Sequence, residues 1–170
     1  MESKGLAVVL AENVYECLEL QYPRLRLIEA GFDVKIIAPE KHAVYESKDG
    51  YPVKSDGTFT DVDPQEIEVL IIPGGFAPDK LRRYPGCKHL VSSAYNAGAV
   101  VGFICHGGWV PISAKIVKGK KLTSVGAIRD DLENAGAHWV DEPVVVDGRM
   151  VSAQVPKDLP EFMVQILKLV

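Results

Sequence analysis

Hydrophobic positions along this chain fall into short unbroken runs separated by stretches with helical spacing. Leu6-Ala7-Val8-Val9-Leu10 is apolar throughout, the mark of a strand buried on both faces of a parallel sheet. The spacing from about Tyr15 to Ala30 predicts a helix, with Leu18, Leu20, Leu25, Leu27 and Ile28 available for its buried side. Pro23 should kink or restart that helix, and Gly31 should end it. Val34-Lys35-Ile36-Ile37-Ala38 then reads as a second strand. Between Glu40 and Thr60 the pattern shortens, and Lys48-Asp49-Gly50 predicts a small hairpin, with a second turn at Asp56-Gly57. Val69-Leu70-Ile71-Ile72 resumes the sheet and stops at Pro73-Gly74-Gly75. Helical segments are expected from Ala77 to Ala97, broken at Pro85-Gly86 and ended near Gly98. A further strand leads to Ile104, and a short helix starts near Trp109. Beyond it come a strand at Leu122–Val125, a helix from Ile128 to Asn134, and strands at His138–Val140, Val144–Val146 and Met150–Ala153. A helix from Leu159 to Leu169 closes the chain. Alternating strands and helices without repeat or linker give one domain over residues 1–170, an α/β flavodoxin-like sandwich with a mainly parallel sheet.

The candidate chemistry sits where the strand Ala99–Ile104 meets Cys105-His106-Gly107-Gly108. A buried strand that turns into a helix across one reactive side chain is the geometry of a nucleophile elbow. Cys105 is therefore the candidate nucleophile. The start of the following helix is expected to lower its thiol pKa. Gly107 and Gly108 let the backbone approach closely. In a doubly wound sheet, ligands sit beyond the carboxyl ends of the strands. Three turns should meet there: Ala11 to Glu16, Pro73 to Asp79 and Cys105 to Gly108. Gly74 and Gly75 can end a strand tightly, and can also offer an N–H to a developing oxyanion together with that of His106.

Composition narrows the field. Of 170 residues, 47% are hydrophobic and 25% charged, as in an ordinary globular protein, and the net charge of −4 disfavours nucleic acid and anionic membranes as partners. Three cysteines, Cys17, Cys87 and Cys105, form no Cys-x-x-Cys pair, and the N-terminus lacks the features of a signal peptide. A cytoplasmic protein with free thiols is expected, Cys17 and Cys87 being structural. His42, His89 and His138 have no metal-ligand spacing and the glycine-rich turns lack a Walker lysine, so no metal and no cofactor are assigned.

Taken together, several blocks resemble the PfpI-type intracellular cysteine peptidase family, within the superfamily of the parkinsonism-associated protein deglycase and the class I glutamine amidotransferase-like fold. They are Tyr15-Glu16-Cys17-Leu18-Glu19-Leu20-x-Tyr22-Pro23, Ile72-Pro73-Gly74-Gly75-x-Ala77-Pro78-Asp79-x-Leu81-Arg82 and Ile104-Cys105-His106-Gly107. Leu122-Thr123-Ser124, Asp130-Asp131-Leu132-x-Asn134-Ala135-Gly136, Val144-Val145-Val146-Asp147-Gly148 and Pro156-x-Asp158-Leu159-Pro160 extend the likeness over nearly the whole chain. The resemblance implies a cysteine-dependent hydrolase that forms a homo-oligomer, a dimer or a hexamer. It implies that a protonated Glu16 lies beside the Cys105 sulfur and that His106 carries the proton. The acid orienting His106 would be Asp79 of a neighbouring subunit. Two features depart from the family pattern: Gly108-Trp109 after Cys-His-Gly, and Asp79 where a glutamate is common.

Two kinds of function fit these residues. One is an enzyme acting on peptides, or on glyoxal and methylglyoxal and their protein adducts, as peptidase, deglycase or glutathione-independent glyoxalase. The other is a redox-responsive or chaperone-like stress protein whose Cys105 is oxidised rather than turned over. His106 and Asp79 favour the enzyme, because sensing needs neither.

Overall fold

Val100–Ile104 is buried at every position, because it lies in the middle of a six-stranded sheet with neighbours on both edges and helices on both faces. The computed structural model describes residues 3–170. Its strands are β1 (Leu6–Leu10), β2 (Asp33–Ile37), β3 (Val44–Glu46), β4 (Pro52–Lys54), β5 (Ile67–Ile72), β6 (Val100–Ile104), β7 (Lys121–Leu122), β8 (His138–Trp139), β9 (Val144–Asp147) and β10 (Met150–Ala153). The helices are α1 (Cys17–Glu29), α2 (Ala77–Leu81), α3 (Pro85–Ala97), α4 (Trp109–Ser113), α5 (Arg129–Asn134) and α6 (Leu159–Leu167). The main sheet runs β2-β1-β5-β6-β10-β9, parallel except for the edge strand β9, which pairs antiparallel with β10. The α/β flavodoxin-like architecture is the one expected.

Alternation along the strands builds two core layers. Val9, Ile71 and Ile104 face Leu20 and Leu27 of α1 and Phe162, Met163 and Ile166 of α6. Val8, Leu70, Val101 and Phe103 face Leu81 of α2, Leu90 and Val91 of α3, Val110 of α4 and Leu132 of α5. Gly102 permits the close seat of α6: a Cβ there would lie 2.7 Å from Ile166 Cδ1 and 2.8 Å from Phe162 Cζ.

Three local readings need adjustment. Pro23 does not restart the helix; α1 runs through it, with the proline buried. The buried face of α1 is Glu19, Leu20, Pro23 and Leu27, so Leu18, Leu25 and Ile28 are exposed. The strand expected at Leu122–Val125 stops at Leu122, because the Thr123 N–H goes to Ser152 Oγ (2.9 Å) and the Val125 N–H to the Cys105 carbonyl (3.4 Å). The hairpin expected between Glu40 and Thr60 is β3–β4, and its turn folds back onto the loop after β1 through a Tyr15–Ser47 bridge.

Candidate active site

The elbow begins where β6 ends. Cys105 sits at φ +59, in the left-handed region that a side chain adopts at a cost of ~1–3 kcal/mol. A 3₁₀ turn over Cys105–Gly108 follows, and α4 continues it. Gly107 has to be glycine, since a Cβ would stand 2.6 Å from the Ile72 carbonyl oxygen. This tight turn brings adjacent side chains together, which a regular helix would not do. His106 Nδ1 lies 3.3 Å from Cys105 Sγ.

The three turns expected at one sheet edge do converge. Tyr15 bridges Gly75 antiparallel: the Glu16 N–H binds the Gly74 carbonyl (3.2 Å), and the Phe76 N–H binds that of Val14 (2.8 Å). Gly75, at φ +76, leaves no room for a side chain, because its Cβ would lie 2.5 Å from the Val14 carbonyl. Val14 is itself left-handed, at φ +67, so two strained non-glycine residues flank one space. That space is a cavity of about 440 Å³ with Cys105 and His106 in its wall. Val14, Phe76, Trp109 and Pro156 line its apolar part, and Glu16, Glu19 and Lys48 its charged part.

The carboxyl group at the sulfur is that of Glu19, and this corrects the expectation for Glu16. Glu16 is the N-cap of α1, and its Oε2 accepts the Glu19 N–H at 2.8 Å. Glu19, one turn further on, is wholly buried and points inward. Its Oε2 accepts the Gly74 N–H at 2.7 Å, in the space a Gly74 Cβ would fill, next to Cys105 Cβ. Glu19 Oε1 is buried without a hydrogen-bond partner, a position suited to the hydroxyl of a neutral acid. Burial pushes the Glu19 carboxyl up to about 8, against the Gly74 hydrogen bond. At neutral pH Glu19 therefore keeps its proton. The spacing of Glu16 and Glu19, a cap and the third residue it caps, was the sequence signal for this division of labour.

The thiol also departs from expectation. Burial first, and then the Glu19 carboxylate, push Cys105 up to about 12, while the His106 N–H pulls it down. The helix end does not prevail, because the sulfur is largely desolvated and α4 is only five residues long. Burial also lowers the pKa of His106, so the imidazole is neutral at neutral pH. A neutral thiol thus faces a neutral imidazole on one side and a protonated acid on the other.

Of the other residues singled out in the sequence, Gly75 borders the cavity, while the Gly74 N–H is committed to Glu19 and is no oxyanion donor. Gly107 is buried against Ile72. Asp79 lies on α2 and pairs with Arg83, so it does not orient His106 within one chain. Cys87 is buried and Cys17 partly so. Among the described residues no group of three or more His, Cys, Asp or Glu could hold a metal ion, and no helix is long and apolar enough to cross a membrane.

A parallel sheet carrying a strained cysteine elbow, with a histidine and a buried acid at its sulfur, defines the class: an α/β protein built around one thiol. The sequence pattern of the DJ-1/PfpI family matches residues 5–169, and the chain belongs to that family. A protein named deglycase PfpI, from Pyrococcus furiosus, is 44% identical over 160 residues, covering 94% of this chain and 96% of that one. Among solved structures, a two-domain protein from Anabaena variabilis with DJ-1/ThiJ/PfpI-like and ferritin-like domains superposes with a TM-score of 0.95 at 37% identity. The match covers 97% of this chain and 48% of that one, so this chain spans about half its length. Drosophila melanogaster DJ-1beta, at 22% identity, shares the fold with a TM-score of 0.90, over 98% of this chain and 90% of that one.

Proposed function

We propose that the protein is a cysteine-dependent hydrolase acting on glyoxal- and methylglyoxal-derived carbonyls, free or as protein adducts. The observation that carries this reading is the contact between Cys105 Sγ and His106 Nδ1, at 3.3 Å in the wall of the cavity. The relatives named deglycase support it, and about 440 Å³ suits a small carbonyl or the end of a modified side chain.

As Sγ bonds to an aldehyde carbon, His106 Nδ1 takes the thiol proton. The oxygen gains negative charge and is held by backbone amides. The candidates are those of Gly75, whose N–H donates to neither carbonyl of the Tyr15 bridge, and His106. With methylglyoxal the product is a hemithioacetal. Transfer of the proton on its former aldehyde carbon to the adjacent carbonyl carbon then gives the thioester of a 2-hydroxy acid. Water cleaves the thioester, returning the thiol and releasing the acid. On an amine adduct, Sγ displaces the amine, which leaves with the proton. Glu19, protonated, donates toward the sulfur and stabilises its anionic character without adding charge.

The reading includes a homo-oligomer, a dimer or a hexamer, in which Asp79 of a second copy faces His106 Nε2. The exposed Leu18, Leu25 and Ile28 on α1 supply apolar surface for such an assembly. Oxidation sensing is the weaker alternative, since burial holds the thiol neutral. Rates on methylglyoxal, a methylglyoxal-modified peptide and a fluorogenic peptide, each beside Cys105→Ser, test the proposal. Cys105-dependent release of hydroxy acid from the first two supports it. Turnover of the fluorogenic peptide alone makes the protein a peptidase, and no turnover of any of the three removes the enzyme reading.

A further inference from the structure

His106 is the proton carrier in the reading above, yet among the described residues the only hydrogen-bonding contact of its ring is to the sulfur. An imidazole on a single Cα–Cβ bond beside an open cavity would turn away from Sγ unless something held its other side. Trp109 packs against it. Its indole lies against the imidazole with ring centroids 5.1 Å apart and planes tilted by 54°. The indole is itself fixed from two further elements. Its Nε1–H donates to Asp131 Oδ2 of α5 at 2.8 Å. The Arg82 guanidinium, just past α2, lies 5.7 Å from the ring centroid, and its Nε donates to Ser113 Oγ of α4 at 2.9 Å.

We propose that Trp109 is the positioning residue for His106: a clamp, braced by Asp131 and Arg82, that keeps Nδ1 on the thiol. The inference rests on His106 being the base for Cys105. It also explains how a ring with no carboxylate partner of its own is held in one chain. Nε2 has no hydrogen-bond partner among the described residues, so an acid from a second copy would add to the clamp rather than replace it.

The test is the rate of Cys105 alkylation by iodoacetamide at neutral pH, resolved by peptide mapping, in wild type, Trp109→Ala, His106→Ala and the double variant. Trp109→Ala is expected to slow labelling about tenfold, the cost of a displaced base, and His106→Ala at least as much. The double variant should match His106→Ala to within about twofold, because a clamp has nothing to hold once the imidazole is gone. Trp109→Phe, which keeps a ring against the imidazole, should recover most of the rate. Labelling of Trp109→Ala at the wild-type rate overturns the proposal, and so does equal slowing by Trp109→Ala with and without His106. If Trp109→Ala does not fold, Asp131→Ala frees the indole and should give a smaller slowing that vanishes in the His106→Ala background. An Asp131→Ala rate equal to wild type counts against the clamp. Labelling needs no turnover, so a protein that hydrolyses no adduct yet shows this pattern defeats the proposed function and leaves the clamp standing.

Discussion

At the scale of single residues, the site turns on two glutamates three positions apart. Glu19 has its carboxyl raised from 4.5 to about 8 by burial, so the folded state holds a proton that the unfolded chain releases near 4.5. The stability associated with that proton is present in full below about 4.5 and is lost as pH rises through about 8, at up to ~1.4 kcal/mol per unit. Thermal unfolding of Glu19→Gln, compared with wild type across this range, should show a flatter profile and relative stabilisation of the variant at alkaline pH. Parallel profiles would mean that Glu19 is charged in the folded protein. Glu19→Ala also removes the acid proposed to donate toward the sulfur, and Cys105 alkylation at neutral pH should slow by on the order of tenfold. Glu19→Gln, which keeps an N–H, should slow it less. Glu16→Ala removes a helix cap instead: denaturant unfolding should show a loss of ~1 kcal/mol, with a smaller change in alkylation. Alkylation that responds more to Glu16→Ala than to Glu19→Ala would reverse the two roles.

At the scale of elements, the elbow depends on how closely α6 and the turn after β5 approach β6. Gly102→Ala would drive a Cβ into Ile166 and Phe162, whose ends can shift, so a loss of ~1–3 kcal/mol in denaturant unfolding is expected. Unchanged stability would mean that α6 has slack over β6. The same closeness decides what could be read from the sequence. The runs Leu6–Leu10, Val69–Ile72 and Val100–Ile104 announce the parallel strands, because a strand buried on both faces has no polar positions. The meeting of three turns at Cys105 follows from that topology alone. Which glutamate reaches the sulfur does not, because it depends on the rotation of α1, and leucines around most of that helix hide its buried face. Leu18, Leu25 and Ile28 look as buried as Leu20 and Leu27 until the helix is placed. The sign of the Cys105 shift was hidden for a related reason. A helix start is visible in sequence, whereas the depth of a sulfur beneath the cavity wall belongs to the packed structure. Gly74 likewise reads as an oxyanion donor until Glu19 is seen to take its N–H.

At the scale of the whole molecule, one chain brings Cys105, His106 and the buried Glu19 together, while Asp79 is turned toward Arg83. In the proposed oligomer, two-fold symmetry would give each site an Asp79 from its partner. Mixing Cys105→Ser with Asp79→Ala subunits, each weakly active alone, should restore part of the activity, since a mixed interface holds one intact site. No recovery, from variants shown to exchange subunits, would confine each site to its own chain. The central claim is that turnover passes through a bond to Cys105. Rapid quenching during turnover of methylglyoxal, followed by peptide mapping, tests it most directly. A carbonyl-derived adduct confined to the Cys105 peptide should appear before hydroxy acid accumulates and decline as substrate runs out. Hydroxy acid formed while Cys105 stays unmodified, or formed equally fast by Cys105→Ser, would contradict it.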